Sequence, residues 1–557
     1  MTTVDLRDAA ERLPSSMREA ITHGEVFTRG WVVELILDLV GYTPERDLAT
    51  FTIVEPACGS GAFLGPIVQR LSASCKLHNR DLGEARQALR AFDLLEANVK
   101  ASRNLVRSQV QAQGWDEPTV ESAVQAWVTQ GDYLLMHHRG QAVDFVVGNP
   151  PYIRLEDVPR ERMARYRAAC PTMGGRADIY VGFYEAALRT LREQGRLGFI
   201  CADRWMHNQY GARLRELVTS GFSVDFVLTM HDVDAFEEQV SAYPAITIIS
   251  KEQQGSAVAA DTRKGFSQAE ARELYDWSLE PKSQVIEKPT YQAARLPHWF
   301  SGDELWPTAS PARLAMLEDL NDRFSVLEDR TAGTRVGIGV ATGADKVFIT
   351  TDAHLVEEDR LLPLAMVRDT KTGTYQWQGY YLVNPWTRNG ELVDLDRFPR
   401  LRTYLAQNAH LLRKRYVAVQ QPERWYKTID KVDHALVGKP KLLLPDMKTT
   451  IHPVLDKEGV YPHHNLYYIV SDVWDLEVLG GLLISKIAQA FVQAYAVKMR
   501  GGTLRFQAQY LRKIRVPQPS GLSDKVRLQL AEAFRNRDVD AATRAALDAY
   551  GLDHLPD

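Results

Sequence analysis

The stretch Val143–Tyr152 constrains this chain most. Val143-Asp144-Phe145-Val146-Val147-Gly148 is a short, mainly apolar run of the kind that forms a fully buried strand in a parallel sheet. Asn149-Pro150-Pro151-Tyr152 follows, and two prolines can neither extend a ladder nor continue a helix, so the strand must stop there. An amide, a carbonyl facing no ladder partner and an aromatic ring are thereby held at the carboxyl end of a strand. In open α/β sheets that edge is where ligands bind. The chemistry suits an exocyclic amine. The Asn149 side-chain oxygen and the Pro150 carbonyl can each accept one N–H of an NH₂ group, and Tyr152 can stack on the ring that carries it. The competing reading is a strand ending in a Pro-Pro turn, with Tyr152 a surface aromatic.

A second stretch supplies a place for an electrophile. Thr52-Ile53-Val54-Glu55 reads as another buried strand, and Pro56-Ala57-Cys58-Gly59-Ser60-Gly61 leads into a helix opened by Ala62-Phe63-Leu64. Gly59 and Gly61 allow a tight turn and a close approach of ligand to backbone. Dinucleotide folds place a pyrophosphate at such a turn. Here Glu55 ends the strand, and a carboxylate there suits an ammonium-bearing ligand better than a phosphate. Gly-x-Gly alone leaves a generic Rossmann turn open.

Taken together, Glu55-Pro56-Ala57-Cys58-Gly59-Ser60-Gly61-Ala62-Phe63-Leu64 and Asn149-Pro150-Pro151-Tyr152 resemble the amino-methyltransferases of restriction–modification systems that modify adenine N6 in DNA. The motif order, cofactor half first with a long region after, resembles their gamma group. The resemblance implies an α/β fold: a Rossmann-like class I methyltransferase domain with a mainly parallel sheet, and a mixed α+β C-terminal target-recognition domain. It implies S-adenosylmethionine as cofactor (S-adenosylhomocysteine as product), no metal, and double-stranded DNA as substrate. Asn149, Pro150 and Tyr152 would be catalytic, with the flipped base stacked between Tyr152 and Phe236. Tyr243 is the alternative to Phe236, which could instead be a local hydrophobic anchor.

The same resemblance assigns the cofactor pocket to Glu55, Pro56, Ala57, Cys58, Gly59, Gly61 and Asn149. Thr28 matches a threonine that lies beside the methionine part, although it could equally N-cap the helix from Trp31 to Val40. The weak strand 88–93 ends in Asp93, and a carboxylate at the end of a second strand can take both ribose hydroxyls. Glu96 is the alternative, because the stretch lacks the family's usual glycine before the acid. Asp132 and Tyr133 match an acid that accepts the adenine N6–H and a side chain that packs on that ring.

Composition sets the remaining bounds. With 557 residues, 45% hydrophobic and 25% charged, the chain is long enough for two or three domains of ordinary globular character. No run approaches the roughly 20 apolar residues of a membrane span, and the first residues show no signal-peptide pattern. The four cysteines (Cys58, Cys75, Cys170 and Cys201) contain no Cys-x-x-Cys pair, which suits a reducing cytoplasm. The expected domains are 1–255 catalytic, 256–310 linker, 311–520 target recognition and 521–557 a C-terminal helical segment. Helices are expected over 5–23, 99–114, from 177 toward Gly195, and as a hairpin over 523–550. The Lys251–Lys264 stretch reads as a boundary.

The net charge of −4 does not advertise nucleic acid, so any DNA contact must come from local clusters. Lys498, Arg500, Arg505, Arg512, Lys513 and Arg515 form one, with Gly501-Gly502 inside it. Arg413, Lys414, Arg415, Arg424 and Lys427 form another beside Trp425 and Tyr426. A solvated helix face is the plain alternative for either. Catalysis of this kind needs positioning more than acid–base work, and no covalent intermediate is expected, since Cys58 sits in the cofactor loop. Methylation of RNA adenine or of a protein glutamine would use the same amine chemistry, and a DNA-binding specificity subunit with a dead catalytic half is the non-enzymatic rival. The cofactor segment begins so early that no extra N-terminal nuclease domain is expected, which leaves any restriction endonuclease or specificity partner to a separate chain.

Overall fold

The computed structural model describes residues 27–136, 142–154, 157–231, 233–237, 243–280, 283–495 and 504–556. The expected helix over 5–23 lies outside them. The chain divides between Glu318 and Asp319 into two units.

The first unit is built on a ten-stranded sheet. In chain order its strands are β1 (Ile53–Glu55), β2 (Leu89–Asp93), β3 (Val128–Gln130), β4 (Val143–Gly148), β5 (Leu191–Ala202), β6 (Ser223–Thr229), β7 (Pro244–Ser250), β8 (Ala257–Thr262), β9 (Val285–Glu287) and β10 (Tyr291–Leu296). Their spatial order is β3-β2-β1-β4-β5-β7-β6-β8-β10-β9. The first five in that order are parallel, and β7 runs antiparallel to both β5 and β6. The chain winds outward from β1 in one direction through β2 and β3, then returns to place β4 on its other side. That reversal opens a crevice at the carboxyl ends of β1 and β4.

Both faces of this sheet are covered, and the sequence shows why. Along β4, Phe145 and Val147 belong to one apolar core, whereas Val146 belongs to the other. Ile53 and Val54 of β1 divide in the same way. A strand buried on both sides reads as a continuous apolar run, as Val143–Gly148 does. Its one acid is satisfied: Asp144 Oδ2 accepts the Thr52 N–H at 2.7 Å, and the carboxylate pairs with Arg192.

The helices that position the site are α1 (Gly30–Val40), α2 (Leu64–Leu77), α3 (Glu96–Ala112), α4 (Glu117–Trp127), α5 (Arg160–Ala169) and α6 (Tyr180–Thr190). Local signals explain their ends. α1 stops at Gly41, whose φ of 78° lets its N–H and that of Tyr42 close back on Asp38 and Leu37. Asp116 caps α4 by accepting the Thr119 N–H at 3.0 Å.

Two expectations are corrected here. Residues 256–310 are not a linker: β8 pairs in parallel with β6, and β10 then pairs antiparallel with β8, so the sheet continues through them. The hydrophilic Lys251–Ser256 is only the turn between β7 and β8. The helix expected to reach Gly195 ends at Thr190, where β5 begins. Between Leu191 and Arg196 β5 slips register against β4, and Gln194 takes a positive φ of 66° there.

The second unit holds two four-stranded sheets. One runs Arg335–Ile338, Leu466–Val470, Lys441–Pro445, Val454–Asp456, all antiparallel. The other runs Ile349–Thr350, Tyr381–Val383, Leu361–Ala365, Tyr461–Pro462. The expected hairpin is present as helices Asp524–Asn536 and Val539–Tyr550. It belongs to this unit, because Gly480 and Gly481 of helix Leu476–Ile484 let that helix lie against Phe534 and Leu530 with no room for a Cβ.

Candidate active site

A cavity of about 420 Å³ opens at the carboxyl edge of β1, β2 and β4. The glycine turn forms its floor. The Cys58 N–H donates to Phe92 O and the Gly61 N–H to Cys58 O, both at 2.8 Å, which folds the turn between β1 and α2. Gly61 has a φ of 104°, and a Cβ there would lie 2.3 Å from Leu105 Cδ2 on α3. Gly59 has a φ of 51° and open space where a Cβ would stand. Glycine is required at Gly61 for both packing and conformation, whereas at Gly59 it only avoids the cost of a left-handed φ.

Asp93 holds this floor from below. Its Oδ2 accepts the Gly59 N–H at 2.9 Å, and its Oδ1 accepts the Leu95 N–H at 2.8 Å and Asn98 Nδ2 at 3.1 Å. Asp93 lines the cavity, whereas Glu96, its alternative, is exposed on the first turn of α3 and does not. Glu55 lines it too. It is 1% exposed, and its Oε2 is buried with no hydrogen-bond partner. Burial, reinforced by the Asp93 carboxylate, raises its pKa well above the ordinary glutamate range. A buried carboxylate oxygen without a partner is costly unless a ligand supplies a cation or donor. Burial, with Glu55 beside it, also pushes the Cys58 thiol up, so this cysteine stays protonated and is no nucleophile.

Asn149 emerges from β4 into the cavity wall and donates Nδ2 to Thr28 Oγ1 at 3.2 Å. Thr28 is therefore not the helix cap that the sequence left open. Arg29 holds that position in α1, without a side-chain cap. The backbone beside Thr28 is held as well: Arg29 N donates to Ala235 O, Glu237 N donates to Phe27 O, and Arg29 Nε donates to Phe236 O, all within 3.0 Å. Thr28 and Phe236 thus form an antiparallel bridge.

The expected slot between Tyr152 and Phe236 is not preformed. Their ring centroids are 6.2 Å apart with planes at 81°, an edge-to-face contact, and Tyr152 also leans on Tyr180 at 6.4 Å. Two aromatics packed edge to face in this way bury each other's surface. Tyr243 is elsewhere, 56% exposed with its ring on His231.

On the far wall Asp132 Oδ2 accepts the Tyr166 hydroxyl at 2.9 Å, with Arg162 Nε at 4.0 Å. Tyr133 is buried and stacks on Phe183, centroids 5.9 Å apart and planes at 15°. Tyr166 and Arg162 of α5 and Phe183 of α6 are cavity residues that the sequence reading missed. Ile179 and Phe183, one helical turn apart, carried a usable signal. The lone Tyr166 in an arginine-rich stretch carried none.

The basic clusters of the second unit sort differently from expectation. Arg413 and Lys414 are exposed, and the Arg413 guanidinium lies 4.5 Å from the centre of the Trp425 ring. Arg424 is half-buried near Trp386. Arg415 is not a surface cation. Its guanidinium donates to the carbonyls of Leu412, Thr342, Trp425 and Lys427. Arg512 likewise donates to Val336 O and pairs with Glu328, and Arg515 donates to Asn321. A folded domain satisfies its buried carbonyls wherever donors reach, and these long side chains reach them. Lys513 lies over Tyr495 at 5.1 Å. Lys498, Arg500 and the Arg505 side chain lie outside the described residues.

A strand-end amide beside a glycine-turn cavity defines a ligand-binding α/β enzyme, and comparison with known proteins specifies which. Residues 68–236 match the family model described as Eco57I restriction-modification methylase, and residues 401–516 match the TaqI-like C-terminal specificity domain. The chain is 43% identical to type II methyltransferase M.PaeR7I of Pseudomonas aeruginosa, over 95% of this chain and 92% of that one. It is 41% identical to M.XhoI of Xanthomonas vasicola, over 95% and 97%, and 38% identical to M.BstVI of Geobacillus stearothermophilus, over 92% of each. The chain belongs to the type II methyltransferases of restriction–modification systems.

Proposed function

We propose that this methyltransferase transfers the methyl group of S-adenosylmethionine to N6 of adenine in double-stranded DNA, with the base turned out of the duplex. One observation carries the reading. Asn149, tied to Thr28, stands at the wall of a cavity in which the buried Glu55 carboxylate lacks a partner. The cavity residues fit the cofactor's parts. Glu55 suits the ammonium group, and the turn at Gly59, fixed by Asp93, suits the ribose end. Tyr133 and Phe183 offer an apolar wall for the adenine, and Asp132 an acceptor for its amine. When bound, S-adenosylmethionine supplies an electrophilic methyl group on a good leaving group.

The chain's own residues then do little but position. Asn149 and Pro150 accept the two N–H bonds of the target amine, which turns its lone pair toward the methyl donor and fixes the attack geometry. The two aromatic rings at Tyr152 and Phe236 must part to admit the base. Base stacking contributes roughly 1–3 kcal/mol, which offsets much of the few kcal/mol that flipping costs. Exposed Arg413 and Lys414 serve the DNA backbone. A separate restriction endonuclease reading the same sequence is the partner this reading implies. The setting is the cytoplasm, which agrees with four cysteines that are buried and free.

The test is modification sequencing of DNA from a methylation-free host that expresses the chain or its Asn149→Ala variant. Methyl-adenine at one recurrent sequence is expected with the first and none with the second, while calorimetry finds cofactor affinity retained in the variant. A cytosine mark, or an adenine mark that survives Asn149→Ala, overturns the reading.

A further inference from the structure

The second unit brings two distant turns together at one point. Val340 bridges His463 in parallel, the His464 N–H donates to Val340 O at 3.1 Å, and the His463 N–H donates to Ala365 O at 3.0 Å. The approach is so close that a Cβ on Gly339 would lie 2.3 Å from His463 O. This crossing places His463 and His464 beside Asp345, at the start of the short helix Asp345–Phe348. One ligand atom from each of the three residues lies within 4.8 Å of the other two.

The donors are poised in a way that hydrogen bonding inside the domain does not explain. His463 is 2% exposed, yet its Nδ1 has no hydrogen-bond partner, and neither has Nδ1 of His464. The ring centroids are 4.0 Å apart. His463 Nε2 lies 3.3 Å from Asp345 Oδ2, while the other carboxylate oxygen is held by the Thr342 hydroxyl.

We infer that Asp345, His463 and His464 form a binding site for a divalent transition metal of the zinc class. Two imidazoles and a carboxylate are borderline donors that suit zinc, cobalt or nickel rather than the all-oxygen preference of calcium or magnesium. Metal–ligand bonds of about 2.0–2.2 Å put tetrahedral ligand atoms roughly 3.4 Å apart. The contact between Asp345 Oδ2 and His463 Nε2 already has that spacing, and the Asp345 side chain, 47% exposed, leaves the site open to an ion from solvent. The Thr342 hydroxyl orients the carboxylate, as outer partners of metal ligands do. The ion would fasten the turn at 339–345 to the turn at 463–464, and three protein ligands leave one position for water. This inference does not depend on the methylation reading.

The experiment strips the full chain with a chelator, dialyses it against micromolar zinc and measures bound metal by mass spectrometry, beside Asp345→Asn and His464→Ala. Asparagine keeps the acceptor for Thr342, so Asp345→Asn decides the matter if His464→Ala fails to fold. The expected result is stoichiometric zinc in the native chain and none above background in the variants, with zinc raising the melting temperature of the native chain alone. No stoichiometric zinc in the native chain, or equal zinc in Asp345→Asn, overturns the site.

Discussion

Replacing Glu55 by glutamine should move cofactor affinity and fold stability in opposite directions. The carboxylate is 1% exposed and its Oε2 has no partner. In the unliganded protein its ionised form is therefore an uncompensated cost. With an ammonium group bound, the same carboxylate makes a charge-assisted hydrogen bond of about 1.5–3 kcal/mol. Glu55→Gln removes most of that, so S-adenosylmethionine and S-adenosylhomocysteine should bind roughly ten- to hundredfold more weakly by calorimetry. 5′-Methylthioadenosine, which lacks the amino-acid part, should bind both proteins alike. The stability effect has a definite sign. The folded chain holds the Glu55 proton more tightly than the unfolded chain, because its pKa is raised. Native stability therefore falls as pH rises from the ordinary glutamate range through the raised value, and the variant lacks that contribution. At neutral pH, without cofactor, Glu55→Gln should melt at or above the native temperature. Equal losses for methylthioadenosine and S-adenosylmethionine, or a variant that melts lower, would refute the ammonium contact.

Two further contrasts test the site and the second unit. Gly61→Ala combines a disfavoured φ with a clash on Leu105, a cost of roughly 2–4 kcal/mol and several degrees of melting temperature. Gly59→Ala carries only the conformational part, about 1–2 kcal/mol, and its Cβ would enter the cavity, so thermal melts and cofactor titrations should separate the two. Arg413→Ala with Lys414→Ala should weaken DNA binding at all sequences and lower the salt slope by about 1–2 without changing the melting temperature. Arg415→Ala leaves the Thr342, Trp425 and Lys427 carbonyls without a donor and should instead destabilise the chain by roughly 3 kcal/mol or more, read by denaturant unfolding.

What could be read from the chain beforehand was local. Pro150 and Pro151 announce the end of β4 by covalent geometry alone, and the glycines after Glu55 announce the turn. The rest depended on partners far away in sequence. Ala257–Thr262 is alanine-rich and short, so nothing in it declares a strand until β6 lies beside it. Charge at Arg415 and Arg512 is visible in the sequence, but the carbonyls that bind them come from other segments. Asp93 and Glu96 differ by three positions, and only the placement of the Gly59 N–H separates the acid beneath the turn from the one in solvent. The rings of Tyr152 and Phe236 could be paired from the motifs, yet their mutual angle is a packing outcome with no sequence signature.

The run Phe27–Thr28–Arg29 touches two neighbours at once. Its one hydroxyl receives Asn149, and its backbone is laced to the segment that carries Phe236. A movement of the aromatic loop that parts the rings therefore pulls on the residue that steadies the amide, and a shift of the amide pulls back. On the proposed function, filling the donor cavity and admitting the base are for this reason not independent events. Their influence on each other must be equal in both directions. The chain cannot retune its grip on one substrate through these three residues without altering its readiness for the other.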